Sequence, residues 1–111
     1  MLAKKNKLPT TNLKYTLKKD DLSYSRFFVI RTSNSRNNLK QFATVISRKI
    51  SKKAVVRNKI KRQLFESIRP ELPRIKAQQT VFIPKKNIHN ANFSDIKKDI
   101  TQFLNKFSNE R

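Results

Sequence analysis

Arg57, Asn58, Lys59, Lys61 and Arg62 crowd into six residues, and Arg48, Lys49, Lys52 and Lys53 lead up to them. From Arg48 to Arg62 the chain carries eight cations, and no carboxylate occurs between Asp21 and Glu66 to offset them. Guanidinium groups fork onto phosphate oxygens and ammonium groups add mobile point charge, so the chemistry on offer is phosphate binding. Runs of like charge are usually solvated tails. This one is threaded by Val56, Ile60, Leu64 and Ile68, which recur every fourth residue and draw an apolar stripe along a helix. Asn58, Arg62 and Arg69 share a second face, flanked by Lys59 and Lys61. Cations fixed in a row on a packed helix repel one another until a polyanion neutralises them.

The other reactive side chains support little else. Seven carboxylates are scattered along the sequence; Asp95 and Asp99 stand one helical turn apart but beside Lys97 and Lys98, which reads as ordinary surface charge. One histidine, His89, lies in the loop sequence NIHNAN and is expected to be solvated. Cysteine is absent, which excludes disulfides and thiolate metal sites, and glycine is absent, which excludes phosphate-cradling Gly-rich loops. No catalytic residue and no metal ligand set is expected, and no small-molecule cofactor.

The chain has 111 residues and a net charge of +20. That length suits one small domain, and that charge points to a nucleic acid or an anionic membrane as partner. No apolar run is long enough to span a bilayer, and the N-terminal residues lack the apolar core of a signal peptide, so a soluble cytoplasmic protein without membrane contact is expected. Residues 1–9 read as a flexible basic arm and residues 10–111 as a single RNA-binding domain. Thr10, Thr11 or Asn12 would cap a short helix over 12–19, with Leu13 and Leu17 one turn apart and Tyr15 elsewhere on it. Asp20–Ser25 reads as a connection.

Arg26–Thr32 is dense in aromatic and β-branched residues and predicts a strand, with Phe28 and Ile30 on one face and Phe27, Val29 and Arg31 on the other. Ser33–Lys40 reads as a turn or long hairpin loop, leading to a second strand over Gln41–Arg48, antiparallel to the first. The basic helix is expected from Lys53 to Arg69, where Pro70 stops it. A connector over Glu71–Ala77, a third strand over Gln79–Pro84 and a last helix over Phe93–Phe107 follow. Asn92 or Ser94 would cap that helix and Asp95 would favour its positive end, while Phe93, Ile96, Ile100, Phe103, Leu104 and Phe107 form its core stripe. The order is α-β-β-α-β-α, an α+β fold in which the last two strands, joined across a helix, lie parallel in a small mixed sheet.

The run AVVRNKIKR, Ala54 to Arg62, resembles the signature of the bacterial ribonuclease P protein component, and Ile46-Ser47-Arg48-Lys49-Ile50 is similar to the strand end that precedes it there. The likeness extends more loosely over residues 8–107. It implies a two-layer α/β sandwich with a left-handed β-α-β crossover. It also implies a protein subunit of a ribozyme that removes the 5′ leader from precursor tRNA, with the catalytic Mg2+ ions on the partner ribonuclease P RNA. On this resemblance Arg48, Lys49, Lys52, Lys53, Arg57, Asn58, Lys59, Lys61 and Arg62 would face that RNA. A cleft formed by Leu13, Leu17, Val29 and Arg31, with Tyr15 beside them, would hold the leader.

The chain departs from the family pattern in three places. Ser51-Lys52-Lys53 replaces a shorter glycine-containing turn, Leu13 and Leu17 stand where the family has phenylalanines, and Lys59 stands in place of an arginine. Composition alone equally fits a ribosomal-type or general RNA-binding protein. Arg57 and Arg62 are expected on the solvated face of the helix, so that replacing both would weaken RNA binding without much loss of stability.

Overall fold

The computed structural model describes residues 6, 21–34 and 40–107. The predicted helix over 12–19, with Leu13, Tyr15 and Leu17, lies outside these residues, as does all of the basic arm except Asn6. The Asn6 side-chain amide donates to the Lys40 carbonyl at 2.8 Å.

Four strands form one sheet in the order β1-β2-β4-β3: β1 Asp21–Tyr24, β2 Phe28–Asn34, β3 Gln41–Thr44 and β4 Gln78–Pro84. Helix α1 covers Ala54–Ile68 and helix α2 covers Phe93–Leu104, extended by a 3-10 turn over Asn105–Phe107. A 3-10 segment over Arg69–Arg74 makes up most of the proline-bearing connector. The fold is the expected α+β, with two corrections to its order. Asp21–Tyr24 is a strand rather than a connection, paired antiparallel with β2 from Asp21–Thr32 to Tyr24–Val29. The strand that begins at Gln41 stops at Thr44 and does not form a hairpin with β2; β4 lies between them, antiparallel to β2 and parallel to β3. The crossover β3-α1-β4 therefore joins neighbouring parallel strands, as predicted.

Burial accounts for that order. β4 is buried along almost its whole length, through Thr80 and Phe82 on one side and Gln79 and Val81 on the other, which is the pattern of an interior strand. Pro84 is tolerated because it ends the strand. Phe28, Ile30, Phe42 and Phe82 point from the sheet into a core completed by Ile60, Leu64, Phe65 and Ile68 of α1 and Ile96, Ile100, Phe103 and Leu104 of α2. The Phe82 ring sits at its centre, edge-on to Phe28 at 5.8 Å and to Phe103 at 5.9 Å, and stacked on Phe42 at 6.3 Å.

Two aromatic assignments change. Phe27 precedes β2 in a bend and belongs to the core rather than to the opposite sheet face. Phe93, the first residue of α2, remains 41% exposed because it lies outside the turns of α2 that pack into the core.

The two helices begin differently. α2 opens with the predicted cap: Asn92 accepts from the Asp95 N–H, and Asp95 accepts in return from the Asn92 N–H. α1 opens at Lys53 with no side-chain cap and no acid in its first turn.

Candidate nucleic-acid interface

The sequence between β3 and α1 must turn without glycine, and it does so on serine and arginine. Ile50 N–H donates to the Ser47 carbonyl at 3.0 Å, and Lys53 N–H donates to the Ser51 hydroxyl at 3.1 Å. The Arg57 guanidinium reaches back from the first turn of α1 and donates to the Ser51 carbonyl at 2.9 Å. His89, exposed as expected, places Nε2 2.5 Å from the Ile50 carbonyl oxygen and so ties this turn to the connection after β4. Ile46, Ile50 and Val56 pack against the core beneath. The basic turn is thus fixed to the fold at both ends, and the longer Ser51-Lys52-Lys53 sequence closes it through Ser51.

On this support Arg48, Lys49, Lys52, Lys53, Asn58, Lys59, Lys61 and Arg62 are all exposed. Ile60, Leu64, Phe65 and Ile68 occupy the opposite, buried side of α1. The uncapped helix start adds the positive end of the helix dipole to the same surface. Near the far end of α1, Arg69 is engaged by Glu66 at 3.3 Å and so offers less free charge.

Arg57 is the correction. It is half-buried rather than on the solvated face, and it is committed to Ser51. Arg57→Ala is therefore expected to cost about 1 kcal/mol of stability, the scale of one net hydrogen bond, whereas Arg62→Ala should stay within about 0.5 kcal/mol. Chemical denaturation of the two single variants checks the difference.

Of the expected cleft residues, Val29 and Arg31 are described. They alternate with the core residues Phe28 and Ile30, so they lie on the sheet face turned away from the helices, and both are half-buried. Leu13, Tyr15 and Leu17 lie outside the described residues. The register adds two residues that sequence reasoning missed, because β1 was missed: Leu22 stands opposite Arg31 and Tyr24 opposite Val29, on the same face.

Asp99 was also misread. It is buried and accepts from the Ser25 hydroxyl at 2.7 Å, the Arg26 N–H at 3.0 Å and the Phe27 N–H at 3.0 Å, clamping the β1–β2 bend to α2. The signal was present: Asp99 lies three residues after Ile96 and next to Ile100, inside the buried stripe. Among the described residues no three His, Asp or Glu side chains gather into a metal-binding group. Among them, too, no helix is long and apolar enough to cross a membrane.

A family model described as Ribonuclease P matches residues 2–108 of this chain. The ribonuclease P protein component of Prochlorococcus marinus is 36% identical over 77 residues, which cover 69% of this chain and 56% of that protein. That of a Synechococcus strain is 37% identical over 67 residues, 60% of this chain and 50% of that protein. The chain spans about half the length of the curated relatives it matches. The solved RNase P protein of Thermotoga maritima superposes with a TM-score of 0.80 at 22% identity, covering 92% of this chain and 97% of that one. The Staphylococcus aureus RNase P protein gives a TM-score of 0.78 at 22% identity, covering 100% and 97%. At that identity the likeness to the two structures is one of fold.

Proposed function

The chain belongs to the ribonuclease P protein family, and from that premise we propose that it is the protein subunit of ribonuclease P, an endoribonuclease that matures the 5′ end of tRNA. In this reading the protein binds the catalytic RNA and the 5′ leader of precursor tRNA. Cleavage, with its Mg2+ ions, belongs to the RNA; the protein supplies no catalytic residue and binds no cofactor, and it works in the cytoplasm.

The observation that carries the proposal is the exposed, carboxylate-free set Arg62, flanked by Lys59 and by Lys61, on a helix locked into the core through Ile60, Leu64, Phe65 and Ile68. A set anchored in this way holds its charges at fixed spacing, which suits a structured polyanion. Arg48, Lys49, Lys52 and Lys53 extend it around the turn. The second RNA segment, single-stranded leader, goes to the sheet face that carries Val29 and Arg31, with Leu13, Tyr15 and Leu17 completing the cleft. An unpaired strand is recognised by stacking and backbone charge.

Reconstitution with a bacterial ribonuclease P RNA tests this. At low, near-physiological Mg2+, adding the protein should stimulate 5′ cleavage of a precursor tRNA strongly. Absence of stimulation together with good binding to unrelated RNAs would replace the proposal with a ribosomal-type RNA-binding role.

A further inference from the structure

Tyr24 ends the edge strand β1 and is 66% exposed, and Leu22, two residues before it on the same face, is 47% exposed. An aromatic ring on an edge strand would ordinarily lie down on its cross-strand partner. Here the partner is Val29, and Tyr24 still leaves two thirds of its surface in solvent. Lys85, whose N–H bonds to the Phe27 carbonyl at 2.8 Å, holds its ammonium 5.7 Å from the Tyr24 ring centroid and donates to the Ser25 carbonyl at 2.6 Å. Beside the ring, toward α2, opens a groove of about 330 Å³ lined by Tyr24, Arg26, Gln102, Phe103 and Lys106, with Asp99, whose carboxylate is taken up by its three donors in the bend, at its floor.

The β1–β2 bend that presents Tyr24 is held rigidly. Asp99 accepts its three donors, and Asn87 donates to the Arg26 carbonyl at 3.0 Å. A fixed, exposed aromatic ring flanked by cations is what single-stranded RNA binding requires: every base has a face that can stack, and the adjoining phosphates need neutralising. The leucines of the expected cleft, Leu13 and Leu17, offer no ring of their own.

We propose that Tyr24 is a stacking platform for an unpaired nucleotide of the precursor leader, with Lys85, Arg26 and Lys106 neutralising the flanking phosphates. This extends the leader path beyond Val29 and Arg31 to the β1 edge, and it rests on the proposed ribonuclease P role.

The test compares wild type, Tyr24→Ala and Tyr24→Phe, each assembled with a bacterial ribonuclease P RNA. Binding is measured to a precursor tRNA with a several-nucleotide leader and to mature tRNA. Tyr24→Ala should weaken precursor binding about tenfold and leave mature tRNA binding unchanged, and Tyr24→Phe should restore it. Stacking itself has a direct readout. The chain has no tryptophan and two tyrosines, so in a Tyr15→Phe background Tyr24 is the sole emitter, and precursor binding should quench it. Equal precursor affinity in wild type and Tyr24→Ala, or unquenched Tyr24 emission in the bound complex, overturns the assignment while leaving the subunit role intact. If wild type itself fails to prefer precursor over mature tRNA, the leader-binding role falls and this inference with it.

Discussion

Replacing Lys59, Lys61 and Arg62 together with alanine is expected to weaken binding to ribonuclease P RNA by about 4.5 kcal/mol, roughly two thousandfold, taking charge-assisted bonds at the low end of their range at about 1.5 kcal/mol each. All three side chains are exposed on α1, and none is held by a carboxylate within the basic stretch. Every phosphate left without its cation keeps its condensed counterions, so the log–log slope of affinity against salt should become shallower by about two to three units. Stability should barely change, because the buried side of α1 is built from Ile60, Leu64, Phe65 and Ile68. Arg57 is left out on purpose: its bond to Ser51 would mix a loss of fold into a loss of binding. Titration at several salt concentrations, beside a denaturation curve, separates the two. An unchanged salt slope would remove this set from the interface.

Arg57 also shows how far the sequence could be read. Val56, Ile60, Leu64 and Ile68 placed α1 and its buried side correctly, because a stripe repeated over four turns overrides the lower helix propensity of β-branched residues. Arg57 stands three residues before Ile60 and seven before Leu64, at the margin of that stripe. Its residue type pulled the reading toward solvent where its position pulled it toward the fold. The last helix was legible for the same reason as α1, down to its Asn92–Asp95 cap. β4 was legible from the β-branched and aromatic residues Thr80, Val81, Phe82 and Ile83 and from Pro84 closing it.

What failed was non-local. Asp21–Tyr24 is four residues long and has a half-buried or exposed side chain at each of Leu22, Ser23 and Tyr24, so only its ladder with β2 makes it a strand. The pairing of β2 with β4 rather than β3 is likewise invisible in the Ser33–Lys40 connection. It follows from β4 being buried on both sides, which requires a neighbour on each edge. For the site, these misses had a cost: the basic turn and helix were readable from their charge pattern, whereas Leu22 and Tyr24 could join the sheet-face surface only once β1 was recognised.

Asp99 brings both failures together, and its replacement should produce the larger stability effect. Asp99→Ala leaves the Arg26 and Phe27 N–H groups without their acceptor, the latter buried, and leaves the Ser25 hydroxyl only the longer contact to the Phe28 carbonyl at 3.4 Å. Hydrogen bonds to a charged group contribute about 1.5–3 kcal/mol each and do not add fully in a shared network, so a loss of about 4 kcal/mol is expected. That is a large share of the 5–15 kcal/mol or so available to a small domain. Asp99→Asn should fall in between. Its one carboxamide oxygen can still accept, but its NH2 group faces a backbone N–H in one of the two positions where the carboxylate accepts. Urea denaturation with an unchanged m-value would report this as lost stability rather than altered compactness. Because Asp99 clamps the bend that carries Tyr24, Ser25 and Arg26 onto α2, the surviving folded fraction of Asp99→Asn should also bind precursor tRNA less well than wild type, while the α1 surface keeps its affinity for the ribozyme RNA. A loss below about 1 kcal/mol in Asp99→Ala would mean that the bend holds its shape without the carboxylate, and that packing of Phe27 and Phe28 alone joins β1 and β2 to α2.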